Sequence, residues 1–396
     1  MDAPEVLSRR ARRALPLMAG ALAAIVVAGL VYLHPSFPPS VGPPAARPVP
    51  SAPILASQYS ATYDFVTPST GWALVVDQSA QPANVYVYRT TDGAKRWQEQ
   101  FAASAQPARS GIRFFDRNHG LIFFGFPAQL YRTSDAGNQW TPVGMPPDTA
   151  TSITFTDPLH GWVLAQEPGE GFAKHFFTTT NGGSSWTELP WPQRAVWGGQ
   201  GGGIGSDLQF RRTNEGWLGA SADQPTVYST TDGGSSWQAH ALPSLPKPNP
   251  ATGGKPPPPP GSGFTFNTDV RLLPGAGVVA FVDLYAQGAA FTSFDDGKSW
   301  RALPPTPGET TYSDFAFQDS THWWAMRFGT LWKSSDAGQS WKHVGQQIDE
   351  WDYRPHVVDA RHAWAMLIGS RASGTGLAMT ADAGLHWTYV KVPTPG

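Results

Sequence analysis

Apolar residues occur along this chain in two arrangements. From Ala14 to Leu33 (ALPLMAGALAAIVVAGLVYL) they form a run with no charged residue. As a helix, a run of this length rises about 30 Å, the thickness of the hydrocarbon core of a bilayer. From about residue 58 onward the pattern changes to short aromatic-rich segments separated by turn residues. Residues 152–190 show the unit plainly: SITFTD, the turn PLHG, WVLAQ, a variable loop around Gly169, HFFTTT, the turn NGGSS, then WTELP. This reads as strand, tight turn, strand, loop, strand, turn, strand. A lone four-stranded sheet cannot cover both of its faces, so such units must stack on one another.

The unit repeats. An octapeptide S/T-x-D-x-G-x-x-W, or a close variant, returns as TTDGAKRW (90–97), TSDAGNQW (133–140), TTNGGSSW (179–186), TTDGGSSW (230–237), SFDDGKSW (293–300), SSDAGQSW (334–341) and TADAGLHW (380–387). A second motif precedes it, with an apolar residue six positions before Gly-Trp or its variant: Phe65 with Gly71-Trp72, Phe155 with Gly161-Trp162, Phe210 with Gly216-Trp217. Phe114 and Phe317 keep the spacing with Gly120-Leu121 and Trp323-Trp324, and VRLLPGAGVVAF is the most degenerate copy. Seven copies at intervals of 41 to 63 residues predict an all-β fold, a seven-bladed β-propeller of four-stranded blades preceded by one transmembrane helix. In each octapeptide the acidic or amide side chain (Asp92, Asp135, Asn181, Asp232, Asp295, Asp336, Asp382) is expected to accept backbone N–H groups of the turn. The Gly supplies a positive φ and the Trp packs between blades. Ala94 replaces that Gly in the first copy, which predicts that blade one is the least rigid. Trp387 to Val392 reads as a complete outer strand for blade seven, which predicts a ring closed without strand exchange.

Charge gives the first segment a direction. Arg9, Arg10, Arg12 and Arg13 precede the apolar run, and the next basic residue is Arg47, so the N-terminus is expected in the cytoplasm and the propeller outside it. The expected organisation is a cytoplasmic tail (1–13), a single-pass signal anchor in the plasma membrane (14–33), a Pro-rich stalk (34–57) and the propeller (58–396) with a Pro-rich insertion at 243–263. A cleaved signal peptide is the alternative; its apolar region is usually shorter and ends at a small-x-small site.

Composition removes several classes of function. A net charge of -2 with 15% charged residues supplies no basic field for nucleic acid. The chain has no cysteine, so disulfides, thiolate metal sites and cysteine nucleophiles are excluded. His119, His160, His322 and His362 all occupy one repeat position, at the end of the first turn, which points to turn stabilisation rather than a shared metal site. No HExxH motif is present, and neither a metal nor a cofactor is expected.

Stretches such as FTDPLHGWVLA and STTDGGSSW resemble the Asp-box (BNR-type) repeats of the photosystem II stability and assembly factor family over roughly residues 58–393. That resemblance implies an exported seven-bladed propeller that chaperones membrane-protein assembly without performing chemistry. Sialidases, sortilin-type receptors and xyloglucan hydrolases also carry Asp boxes, so a sialidase-like glycoside hydrolase or a carbohydrate-binding propeller stands as the alternative.

The first turn and the Asp-box turn of each unit close hairpins at one end of the blade. A binding surface is therefore expected at the other end, where the loops between strands two and three and between blades meet around the channel. Two of those connections carry exposed-type aromatic and arginine residues: Trp191, Arg194 and Trp197 after blade three, and Trp351, Tyr353 and Arg354 before blade seven. They stand three blades apart, so one ligand can touch both; sealing of the channel mouth is the other reading. For hydrolysis, Asp349, Glu350 or Asp352 with Glu167 or Glu170 are the carboxylates to consider. The expected partner of this monomeric propeller is a protein or a cell-surface glycan.

Overall fold

In the computed structural model, seven antiparallel sheets of four or five strands follow one another along the chain. The structure describes residues 48–49, 51–52, 54–106, 110–146, 149–166, 174–190, 208–219, 221–222, 224–244, 266–284, 287–305, 315–348, 353–367 and 374–395. The predicted cytoplasmic tail, the apolar run 14–33, the stalk as far as Arg47 and residues 245–263 of the insertion lie outside the described residues. Among the described residues, no helix is long and apolar enough to cross a membrane.

Blade one shows the order common to all: Tyr59–Phe65, Gly71–Asp77, Ala83–Thr90 and Trp97–Ala105, each paired antiparallel with the next. First strands of neighbouring blades pack on one another, as Tyr59–Phe65 does on Gly111–Phe114 and Thr149–Phe155 on Leu208–Phe210, so strands one to four run from the channel outward. The predicted seven-bladed, four-stranded architecture is therefore the one observed.

The spacing between the apolar residue and Gly-Trp has a packing cause. Phe65 stands directly across the hairpin from Gly71, as Phe114 does from Gly120, Phe155 from Gly161 and Phe210 from Gly216. Each ring lies flat on its glycine, and a methyl group at Gly71 would overlap the Phe65 ring. The other face of the ring takes the indole of the preceding blade: Trp72 on Phe114 at 3.4 Å, Trp162 on Phe210 at 3.6 Å and Trp364 on Phe65 at 3.7 Å, with planes within 14° of parallel. The blade's own octapeptide Trp then meets the ring edge-on, as Trp97 does Phe65 and Trp237 does Phe210. Blade six differs because Trp323 occupies the glycine position, and Phe317 meets it edge-on instead of lying flat.

Both turns do close at one end of the blade, and they are tied together. The octapeptide turn donates a backbone N–H to a carbonyl of the first turn: Gly93 to Ser69, Ala136 to Asn118, Gly182 to Leu159, Gly233 to Asn214, Ala337 to Thr321 and Ala383 to Arg361. Within each octapeptide the Ser or Thr hydroxyl donates to the Asp or Asn oxygen two residues on and accepts the N–H four residues on, as Thr230 does with Asp232 (2.8 Å) and Gly234 (2.9 Å). The same oxygen accepts a second turn N–H, that of Ser236 for Asp232.

Two consecutive residues of every octapeptide have positive φ, not one. Ala94 (φ 62°) follows Gly93, but Ala136, Asp296, Ala337 and Ala383 occupy the preceding position at φ 56° to 65°. Five of the seven turns thus carry one non-glycine left-handed residue, so blade one is not singled out.

Ring closure also departs from expectation. Ile54–Ala56, assigned to the stalk, pairs antiparallel with the third strand of blade seven, Gly374–Thr380, placing Leu55 opposite Thr375. The C-terminal outer strand is only Thr388–Tyr389, which covers Met379 and Ala378 and leaves Gly374–Gly376 for the N-terminal segment. An uncovered strand edge exposes unpaired backbone groups, so a closing strand from elsewhere satisfies it. Farther out, Ser51–Ala52 pairs with Val392–Pro393, and Pro48–Val49 pairs with Trp97 and Gln98 of blade one. The Trp97 indole N–H reaches the Lys391 carbonyl at 2.8 Å. The two chain ends therefore grip both sides of the junction between blades seven and one.

Leu55 is fully buried in that junction. Leu55→Ala is expected to cost about 2–5 kcal/mol, and removal of residues 1–57 should lower the melting temperature far more than removal of residues 1–47. Equal melting of the two truncations would show that the strand does not close the ring. Gly71→Ala should cost about 1–3 kcal/mol through displacement of the Phe65 ring, and Phe65→Leu should recover part of that loss when combined with it. A strictly additive double variant would place the strain elsewhere.

Candidate functional site

The residue just before the flat-lying ring position faces the next blade in the ring, and it is polar in six of the seven. Blades one to four carry Asp64, Arg113, Thr154 and Gln209 there, and blades five and seven carry Arg271 and His356. Three of these clasp the neighbouring inner strand. Asp64 accepts the Phe114 N–H at 2.5 Å, Gln209 accepts that of Leu272 at 3.2 Å, and His356 Nε2 lies 2.9 Å from the Phe65 carbonyl, to which it donates. Asp64 is only 5% exposed, and its carboxylate sits 4.0 Å from His356 Nε2. Burial pushes the Asp64 carboxyl up from its ordinary range, against the opposing pull of His356, Arg113 and the Phe114 N–H. This rung was missed in the sequence, although it holds a fixed repeat position one residue before the aromatic.

A cleft of about 370 Å³ opens on the same rung, between the inner strands of blades two, three and four. Its walls include Arg113, Leu121, Phe123 and Leu130 of blade two and Ile153 and Phe155 of blade three. Leu121 stands where blades one, three, four, six and seven place an indole. Among the described residues, no ring of blade two stacks on Phe155, which is half-buried where Phe65, Phe114 and Phe210 are buried.

Of the residues singled out as a rim site, Trp191, Arg194, Trp197 and Trp351 lie outside the described residues, as do Glu167, Glu170, Asp349, Glu350 and Asp352. The backbone of Tyr353 and Arg354 belongs not to a connection but to the first strand of blade seven, opposite Leu367 and Met366. Two rim aromatics were not singled out: Phe126 and Phe328, 55% and 43% exposed, on the loops joining strands two and three of blades two and six. Phe328 adopts φ 46° with the Arg327 guanidinium 4.8 Å above its ring. An aromatic followed directly by Gly or Pro in that loop was the available signal.

The four repeated histidines sit in the first turns. Each Nδ1 lies 2.8–2.9 Å from a carboxylate three residues earlier: His119 with Asp116, His160 with Asp157, His322 with Asp319, His362 with Asp359. The same carboxylates accept backbone N–H groups of the turn, as Asp319 does from Thr321 and His322. Among the described residues no cluster of ligating side chains could hold a metal ion.

No protein-family model matches the chain. In sequence it is 27% identical over 154 residues to the photosystem II assembly lipoprotein Ycf48 of a Nostoc species, spanning 38% of this chain and about two fifths (41%) of that relative's length. A solved structure of Ycf48 bound to a D1 peptide superposes over 90% of this chain and 98% of its own, with a TM-score of 0.56 at 17% identity. This chain is similar to a photosystem II assembly factor. Ycf48 from Cyanidioschyzon merolae superposes over 86% of the chain and 99% of its own, with a TM-score of 0.50 at 16% identity. A puromycin-hydrolysing peptidase of Mycobacterium tuberculosis has a TM-score of 0.54 at 11% identity, covering 86% of this chain and 53% of its own. Likeness to solved structures at these identities is likeness of fold.

Acid should act first on the turns. Hydrogen bonds from the Ser299 and Ser340 side chains and backbones hold Asp295 and Asp336 at about 2, and the His386 N–H and ring hold Asp382 at about 2. Their folded values lie below the unfolded one, so the stability they contribute is present above about pH 4 and is lost as pH falls toward 2. Asp336→Asn should keep the acceptor for the Ser340 N–H, as Asn181 does for Ser185, and melt between wild type and Asp336→Ala at pH 7. The gap between wild type and Asp336→Asn should close near pH 2. A gap independent of pH would remove the carboxylate charge from the account.

Proposed function

We propose that this protein is a non-enzymatic binding or assembly-scaffold propeller for a polypeptide partner, tethered through its N-terminal apolar run to the outer side of the plasma membrane. The local sequence similarity to a photosystem II assembly lipoprotein, joined to a shared seven-bladed fold, is the observation that carries the reading. The relative's structure contains a bound D1 peptide, which favours a protein over a glycan as the partner class here.

The repeat chemistry supports binding over hydrolysis. The acidic side chains that recur in six of the seven octapeptides are already engaged by turn N–H groups, with Asp92, Asp135, Asp232, Asp295, Asp336 and Asp382 each accepting the N–H four residues on. That end of the blade is occupied by its own backbone. Partner contact then falls to the opposite rim, through Trp191, Arg194 and Trp197 on one side and Trp351, Tyr353 and Arg354 on the other, joined by the exposed Phe126 and Phe328. Tryptophan, tyrosine and arginine are the residue types that carry most contact energy between proteins.

The test uses the chain from Pro48 onward, which keeps the closing strand. Immobilised, it should capture a specific polypeptide from solubilised membranes of its own cell, and Trp197→Ala with Trp351→Ala should lower that capture at least about tenfold with little change in melting temperature. Turnover of chromogenic glycosides, or capture unaffected by the double variant, would count against this reading. In the intact cell, externally added protease should degrade the propeller of the full chain; complete protection would refute the outward orientation.

A further inference from the structure

We infer that the cleft between blades two and three is a binding site for a planar aromatic ring carrying a carboxylate. Where blade one meets two, three meets four and seven meets one, an indole fills the space over the next blade's phenylalanine at 3.4–3.7 Å. At the junction of blades two and three the platform is retained and the indole is not. Phe155 lies on Gly161 with Trp186 at its edge, and Leu121 occupies the indole's position. Leucine is smaller than tryptophan and not planar, and the space left open is bounded by Phe123, Leu130 and Ile153 and reaches Leu208 and Phe210 of blade four.

One charged group marks this space. Arg113 is paired across the hairpin with Leu121, so its side chain leaves the same face of the blade, and it is exposed at the cleft. A guanidinium beside a slot that combines apolar walls with the polar residues Ser152, Thr154 and Gln209 selects a ring with an acid attached, through charge-assisted hydrogen bonds that an amide does not replace. Asp64 lies within Coulomb range of Arg113, but its own carboxylate is turned to the Phe114 N–H. A volume of about 370 Å³ falls in the range of small-ligand pockets. The site stands independently of the rim proposed for a partner.

Saturation-transfer NMR with N-acetyl-L-tryptophan and its neutral analogue N-acetyl-L-tryptophanamide, on the chain from Pro48 onward, tests this. Saturable binding of both at millimolar concentration is expected, with the acid about tenfold tighter. Leu121→Trp restores the Gly-Trp motif and should abolish binding of both while raising the melting temperature. Arg113→Gln, at an exposed position, should remove the preference for the acid and leave the amide unchanged. A blocked Glu-Trp dipeptide amide that binds more tightly than N-acetyl-L-tryptophan would assign the natural source to a polypeptide; the reverse order would assign it to a free aromatic acid. Absence of saturable binding, or equal binding to a folded Leu121→Trp variant, overturns the site. Equal weakening of acid and amide by Arg113→Gln overturns the carboxylate.

Discussion

An aromatic ring held between a glycine and an indole sets the geometry of this molecule. The glycine has no Cβ, so a phenylalanine on the first strand can lie flat on the second, and its free face then offers the next surface in the ring a plane to stack on. Where blades one and two, three and four, and seven and one meet, this contact sets the distance and tilt between neighbouring sheets. The octapeptide tryptophan meets the same phenylalanine edge-on, so one ring makes a stacked and an edge contact at once. Where the pattern is altered, local packing changes with it. Trp323 fills a glycine position and tips Phe317 onto its edge, and Leu121 leaves Phe155 without a stacking partner.

The two ends of the propeller are consequently unlike in chemistry. At the end carrying the hairpin turns, hydroxyls, carboxylates and backbone N–H groups satisfy one another, and the Asp-His pairs add further internal bonds. Surfaces so fully paired have little left to offer a ligand. The channel wall and the opposite rim hold the less committed groups: the exposed Arg113, the Phe126 and Phe328 rings, and the slot over Phe155.

Much of this was legible because the repeats are chemically redundant. Seven copies of one turn, each with an acceptor side chain and six with glycine at fixed spacing, announce blade number and strand order even though individual strands are short. The same redundancy hid other features. Left-handed geometry at Ala136, Asp296, Ala337 and Ala383 is imposed by the turn's hydrogen bonds and has no residue signature, since alanine ordinarily avoids it. The rung of Asp64, Gln209 and His356 varies in residue type from blade to blade, and only its position repeats. The closing strand Ile54–Ala56 lies in a proline-rich stretch whose composition suggests a spacer, and no local pattern reveals that Gly374–Gly376, more than three hundred residues later, needs it. Of the proposed rim, the sequence supplied the residue types, but Tyr353 and Arg354 belong to a strand whose start it did not mark.

That long-range pairing gives the protein a timetable. Ser51–Ala52 and Ile54–Ala56 are made early among the propeller residues, yet their partners at Val392–Pro393 and Gly374–Gly376 are among the last. At about 5–20 residues per second, roughly 20–70 s of synthesis separate the two. Through that interval six blades can assemble in order while the leading strand waits with its edge unpaired. Pro50 and Pro53 deprive this stretch of N–H groups that a stray strand would need, which keeps it available for the partners that arrive at the end.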